Sequence, residues 1–141
     1  MGDIDSGTRP SSGRVLLFTG DGKGKTTAAL GLLLRASGHD LAVAMISFIK
    51  SDAARCGEDR AIERIGSASV ERGGVGFTWR SDDPEKDRAA ARAAWERARA
   101  HLADPALAVV ILDEITYPVR FGWIAVGEVV AAIAARSSGQ H

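Results

Sequence analysis

An α/β fold with a mainly parallel sheet, covered by helices on both faces, is what these 141 residues predict. Three observations carry that expectation. Short runs that are apolar almost throughout, VLLFT, LAVAMISFI and LAVVILDE, read as strands buried on both sides. Segments of helical periodicity lie between and after them, and alternation of this kind gives parallel strands joined by crossover helices. Finally, GDGKGK, FIKS and DEIT each fall just past a run, so three polar clusters converge on one edge of the sheet.

Taken in order, residues 1–13 are rich in Gly, Ser, Asp and Thr and read as a flexible arm, with residues 14–141 forming one domain. Residues 15–19 are a buried strand. A helix runs from Lys25 to about Ser37, with Gly38 as its C-terminal cap. Residues 41–49 form the second strand and 57–65 a short helix. Residues 66–76 are a loop with room for one short strand. The clearest helix is SDDPEKDRAAARAAWERARAHLAD. Asp82 and Glu85 resemble a capping box, Pro84 suits the first turn, and Ala91, Trp95, Ala98 and Leu102 share one face. Residues 107–114 are the third strand and 126–136 the last helix. Right-handed crossovers are expected.

Formal net charge is zero, with acids and bases mixed, so the basic footprint of a nucleic-acid binder is missing. No apolar run reaches the ~18 residues of a membrane span. The polar start MGDIDSGTRPSSG lacks the apolar core of a secretory signal. These features lead to the expectation of a soluble cytoplasmic protein with neither nucleic acid nor membrane as partner. Cys56 is the single cysteine, which excludes an internal disulfide. His39, His101 and His141 share no metal-ligand spacing and are expected to be surface polar groups.

TGDGKGKTTAAL, residues 19–30, is close to the phosphate-loop pattern G-x-x-x-x-G-K-[ST], but Thr19 stands where the first glycine belongs. Its setting between a strand and a helix is the one that motif requires. Gly20, Gly22 and Gly24 can take positive φ, so that successive backbone N–H groups face one concavity and hold an anion. The helix N-terminus adds unpaired N–H groups and the positive end of its dipole. Lys25 supplies a charge for phosphates, and Thr26 a hydroxyl oxygen for Mg²⁺. Lys23 is expected to be solvated. Asp21 should face away from phosphate or help to hold a cation. Lys50, past the second strand, could reach phosphate or ribose, or be simply solvated.

Four apolar residues precede Asp113 and Glu114, the form of a Walker B strand. One of these carboxylates can hold Mg²⁺, and residues alone leave open which. The first functional reading is therefore ATP hydrolysis. Phe77 and Trp79 in GVGFTWR would point the same way in an extended segment, either toward a flat ligand or into the core. Trp95 reads as core. Tyr117, Phe121 and Trp123 read as a packing cluster.

TGDGKGKTTAALGLLLRA, SFIK, GVGFTWRSDD, Trp95 and LDEITYPVRFGWIAVGEVV together resemble the ATP:cob(I)alamin (corrinoid) adenosyltransferases of the BtuR/CobA/CobO type, from about residue 14 to 141. The altered phosphate loop is that family's own form. The resemblance implies a three-layer P-loop NTPase-like (RecA-like) fold, with 14–141 as the nucleotide-binding domain. It also implies transfer of the 5′-deoxyadenosyl group of ATP to the cobalt of a reduced corrinoid, cob(I)alamin or cob(I)yrinic acid a,c-diamide, with release of triphosphate. That reaction serves adenosylcobalamin biosynthesis or salvage.

Carried over by motif, Gly20, Asp21, Gly22, Lys23, Gly24, Lys25, Thr26, Thr27 and Lys50 form the nucleotide site. Thr26, Asp113 and Glu114 surround Mg²⁺ or Mn²⁺. Phe77 and Trp79 sit at the lower corrin face, excluding the lower axial ligand. Lys25, Thr26, Phe77, Trp79 and Glu114 are the implied catalytic set. A homodimer, an arm that covers the corrin and a flavodoxin-type reductant are implied too. Two departures stand out. Ser47 replaces the family's usual glutamine before Phe-Ile-Lys, and family members continue past His141 with a strand like VVITGR, so the last strands of the fold are expected to be absent. A P-loop ATPase or nucleotide kinase and an inactive truncated paralogue are the competing readings.

Overall fold

A computed structural model of the protein describes residues 12–50, 56–74, 76 and 83–141. Residues 1–11 of the expected arm at 1–13 lie outside the described residues, as do Phe77, Trp79 and Asp82. Among the described residues eight elements follow in order: α1 (Lys25–Ser37), β1 (Val43–Ser47), α2 (Gly57–Ile62), β2 (Ala68–Arg72), α3 (Pro84–Ala103), β3 (Val109–Asp113), α4 (Thr116–Arg120) and α5 (Val126–Ala134). The three strands form one parallel sheet in the order β2-β1-β3. β1 is therefore central, and all five of its residues are buried.

Successive side chains of a strand face opposite ways, and β1 uses both faces. Val43 and Met45 join Leu33 and Ala36 of α1 and Ile62 of α2 in one core cluster. Ile46, with Phe48 just past the strand, joins Ala94, Trp95, Ala98 and Leu102 of α3, together with Ile124 and Val129. Helices thus cover both sides, as the apolar runs predict. The described short strand in 66–76 is β2, paired with β1 from Val43↔Ala68 to Ser47↔Arg72.

The run at 15–19 is the main departure. It joins no sheet, and Val15, Leu16, Leu17 and Phe18 are 61%, 54%, 75% and 42% exposed. The reason lies at the outer edge of β3. Val110 N–H donates to the His141 carbonyl at 2.9 Å, and His141 N–H donates to the Ala108 carbonyl at 2.9 Å, so His141 takes the ladder position beside β3. Arg14 N–H then reaches His141 Nδ1 at 3.2 Å, and Arg136 Nη2 donates to the Gly13 carbonyl at 2.6 Å. The chain leading into 15–18 is thus held to His141 and Arg136 at Gly13 and Arg14, and residues 15–18 themselves make no ladder bond to β3.

Smaller corrections concern element ends. Asp83, not Asp82, is the N-cap of α3, and its Oδ1 accepts from Lys86 N–H at 3.1 Å, with Pro84 as the first helical residue. Gly38 is the C-cap of α1 as expected, in right-handed conformation, and the left-handed residue of that turn is Asp40, at φ 57°. α4 is an addition to the elements expected from sequence, and it contains Pro118. That proline sits within the first turn, where a missing N–H breaks no intrahelical bond. His101 is half-buried rather than a free surface group, its Nε2 lying 2.7 Å from Glu71 Oε1.

Candidate functional site

The glycine loop has the expected backbone. Gly20, Gly22 and Gly24 stand at φ 117°, 86° and 107°, a region that L side chains rarely adopt. A Cβ on any of them would meet nothing within 4 Å, so conformation and not crowding calls for glycine there. Gly24 caps α1 without a side-chain bond, and no acid occupies the first helical turn. The N-terminus of this 13-residue helix is thus left positive and open to an anion. Lys25 Nζ bends back over the loop, donating to the carbonyls of Gly20 at 2.8 Å and Gly22 at 2.7 Å. Asp21, Lys23 and Thr27 are exposed.

Across from the loop, β3 ends in the two carboxylates. Thr26 Oγ1 donates to Asp113 Oδ1 at 2.9 Å. Ser47 Oγ, at the end of β1, donates to Asp113 Oδ2 at 3.1 Å. Both oxygens of Asp113 are therefore engaged, and Asp113 is 7% exposed. Glu114 differs. Its backbone is left-handed, at φ 63°, which places its side chain off the strand alternation. Its Oε2 is buried and accepts no hydrogen bond. Burial pushes the Glu114 carboxyl above the usual carboxylate range, and the Asp113 charge adds to that; Lys50 and Arg72 oppose it.

Such an oxygen is available to a cation. Hydroxyl and carboxylate oxygens of the kind carried by Thr26, Asp113 and Glu114 suit a hard ion such as Mg²⁺ or Mn²⁺, whose remaining positions phosphate oxygens and water would fill. No group of three His, Cys, Asp or Glu side chains forms a self-contained metal site among the described residues.

Lys50 pairs with an acid of α2. Its Nζ lies 3.6 Å from Glu58 Oε1, and it reaches Glu114 only through its charge. Below it, Asp59 of α2 is held by the Arg72 guanidinium of β2 and by Cys56 N–H at 2.7 Å. Sequence patterns missed that buried pair, since charged residues in a short helix and an edge strand carry no periodic signal. Trp95 is fully buried as expected, and its indole N–H donates to Glu128 Oε1 at 2.6 Å. Tyr117, Phe121 and Trp123 do pack together, with ring centroids 6.4 Å and 4.9 Å apart.

Fold and site define a class: a parallel α/β protein whose glycine loop and strand-end carboxylates meet at the carboxyl edge of the sheet, where ligands of open α/β sheets bind. Within that class, residues 11–141 match the model of the family described as ATP:corrinoid adenosyltransferase BtuR/CobO/CobP. Corrinoid adenosyltransferase CobA of Salmonella typhimurium is 41% identical over 128 residues, covering 91% of this chain and 64% of that protein. The corrinoid adenosyltransferase of Pseudomonas aeruginosa is 40% identical over 134 residues, covering 94% and 66%. That of Escherichia coli K12 is 41% identical over 128 residues. The chain belongs to this adenosyltransferase family, and it spans about two thirds of the length of these curated relatives.

Proposed function

We propose that this protein transfers the 5′-deoxyadenosyl group of ATP to the cobalt of a reduced corrinoid and releases triphosphate. The observation that carries the reading is the Thr26–Asp113 bond, which joins the glycine loop to the carboxylate end of β3 in a chain of this family. Residues 14–141 act as one nucleotide-binding unit in this reading.

Gly20, Asp21, Gly22, Lys23 and Gly24 form the loop around the triphosphate, which backbone N–H groups and Thr27 contact. Lys25 exchanges its two loop carbonyls for phosphate oxygens. Lys50 adds positive potential from behind Glu114. Thr26 and Glu114 would hold Mg²⁺ or Mn²⁺, with Asp113 orienting Thr26; such an ion would supply positive charge beside the triphosphate. Phe77 and Trp79 form the apolar lower face of the corrin site.

The chemistry asks little acid–base work of the protein. The electron pair of Co(I) forms the bond to the ribose 5′ carbon, the C5′–O bond breaks, and triphosphate departs with that bond's electrons. Charge grows on the leaving group, where fixed N–H groups and Lys25 stabilise it. Holding the 5′ carbon in line with cobalt supplies the orientation. A homodimer, a flavodoxin-type reductant, a cytoplasmic location and a role in adenosylcobalamin synthesis or salvage complete the proposal. Among the described residues no helix is long and apolar enough to cross a membrane.

The test is incubation with Mg-ATP and chemically reduced cobalamin, following the corrinoid spectrum and the phosphate product. Adenosylcorrinoid with triphosphate is expected; ADP with no change at cobalt refutes the proposal. Replacing Phe77 and Trp79 by Ala should abolish activity with Co(II) plus reductant and spare much of it with Co(I).

A further inference from the structure

We infer that Ser47 is a positioning residue of the triphosphate–cation site. Its hydroxyl locks the Asp113 carboxylate in the orientation that receives the Thr26 proton. The inference rests on the reading of Thr26 and Glu114 as cation holders. It assigns a task to the position where this chain departs from the glutamine expected there.

The main chain places Ser47 first. It is the last residue of β1 and the register partner of Asp113 in β3. Its carbonyl accepts from Gly73 N–H at 2.8 Å, and the next residue, Phe48, donates its N–H to the Asp113 carbonyl at 3.0 Å. Ser47 is thus anchored to both neighbouring strands, and it is 1% exposed. Its hydroxyl has little freedom except toward Asp113 Oδ2, 3.1 Å away.

The side-chain argument follows. The terminal torsion of an aspartate is broad, so a single hydrogen bond leaves the carboxylate plane free to turn. Thr26 holds one oxygen and Ser47 the other. Two bonds from two different elements define the plane. With Oδ1 fixed, the Thr26 proton points at Asp113, which leaves the lone pairs of Thr26 Oγ1 free for a cation. A freely turning Asp113 could offer Oδ1 to the cation instead and leave Thr26 unoriented. Ser47 therefore acts on the cation through two intermediaries, Asp113 and Thr26.

The experiment compares Ser47→Ala and Ser47→Thr in the full chain. ATP binding is measured calorimetrically as a function of Mg²⁺ concentration, and Tm is measured alongside. In Ser47→Ala the Mg²⁺ needed for half-maximal ATP binding should rise about tenfold, the order expected from one hydrogen bond to a charged group. ATP affinity without Mg²⁺ should stay within about twofold, and Ser47→Thr should restore the Mg²⁺ dependence. A Tm change with an unaltered Mg²⁺ dependence makes Ser47 merely structural and overturns the inference. So do equal defects in both variants, or ATP binding that ignores Mg²⁺ in the unsubstituted chain. Corrinoid adenosylation is scored separately. A shifted Mg²⁺ dependence in a chain that forms no adenosylcorrinoid leaves Ser47 in place and removes the transferase reading.

Discussion

Thr26, the second residue of α1, donates its hydroxyl to Asp113 Oδ1 at 2.9 Å, tying the start of a helix to the end of a strand 87 positions away. Asp113→Asn keeps the shape but can turn an N–H toward Thr26, and it removes the charge. A hydrogen bond to a charged group contributes about 1.5–3 kcal/mol, so Mg-ATP affinity should fall roughly 10–100-fold. Titration of ATP with and without Mg²⁺ checks this; an equal loss in both conditions contradicts it.

The two apolar runs nearest the loop should respond differently to truncation. Ile46 is fully buried between the sheet and α3, and Ile46→Ala should cost about 2–5 kcal/mol. Leu17 is 75% exposed, and Leu17→Ala should change stability by less than about 0.5 kcal/mol. Denaturant unfolding of the two variants decides it. A large loss at Leu17 would show that the 15–18 run is packed in solution.

Asp59 sets an acid limit. Burial alone pushes its carboxyl up, but the hydrogen bond and charge of Arg72 and the Cys56 N–H outweigh burial and hold it below the ordinary range. A depressed folded-state pKa stabilises fully above the unfolded value, ~3.9, and that contribution is lost as pH falls through the lower folded value. Stability should therefore decline below about pH 4. Asp59→Asn leaves Arg72 buried and unpaired, costing about 3–5 kcal/mol at pH 7, and should flatten the acid decline. Thermal melts from pH 7 to 2.5 test this; acid limbs of equal slope count against it.

Gln140 closes the end of α3. Its side chain is 1% exposed, and the two N–H groups of Nε2 are shared among the carbonyls of His101 at 3.0 Å, Asp104 at 3.2 Å and Leu107 at 3.2 Å. Gln140→Ala leaves those carbonyls short of a donor and should cost about 1–3 kcal/mol. Gln140→Glu, which offers only acceptors to three carbonyls when ionised, should be worse at neutral pH. If the glutamate variant matches the wild type in Tm, the cap is unimportant.

Local chemistry made much of this protein legible from residues alone. Alternation of apolar runs with helical periods called for a parallel sheet with two covered faces, and β1, α1 and α3 satisfy it. The glycines at 20, 22 and 24 announced positive φ, because no other residue takes it as cheaply. Asp113 and Glu114 announced themselves by standing at the end of an apolar strand. Each of these is a property of a few neighbouring residues, so a short stretch contains all the information needed.

What tertiary structure decided involves distant partners. VLLFT has the composition of a buried strand, yet composition does not say which sheet edge is open, and His141 holds the position beside β3. The difference between Asp113 and Glu114 came from the register Ser47↔Asp113 and the approach of α1, which engage both oxygens of one acid and leave an oxygen of the other bare. A hydrogen bond needs two groups within about 3 Å, and for residues 66 and 87 positions apart only the folded sheet brings them there.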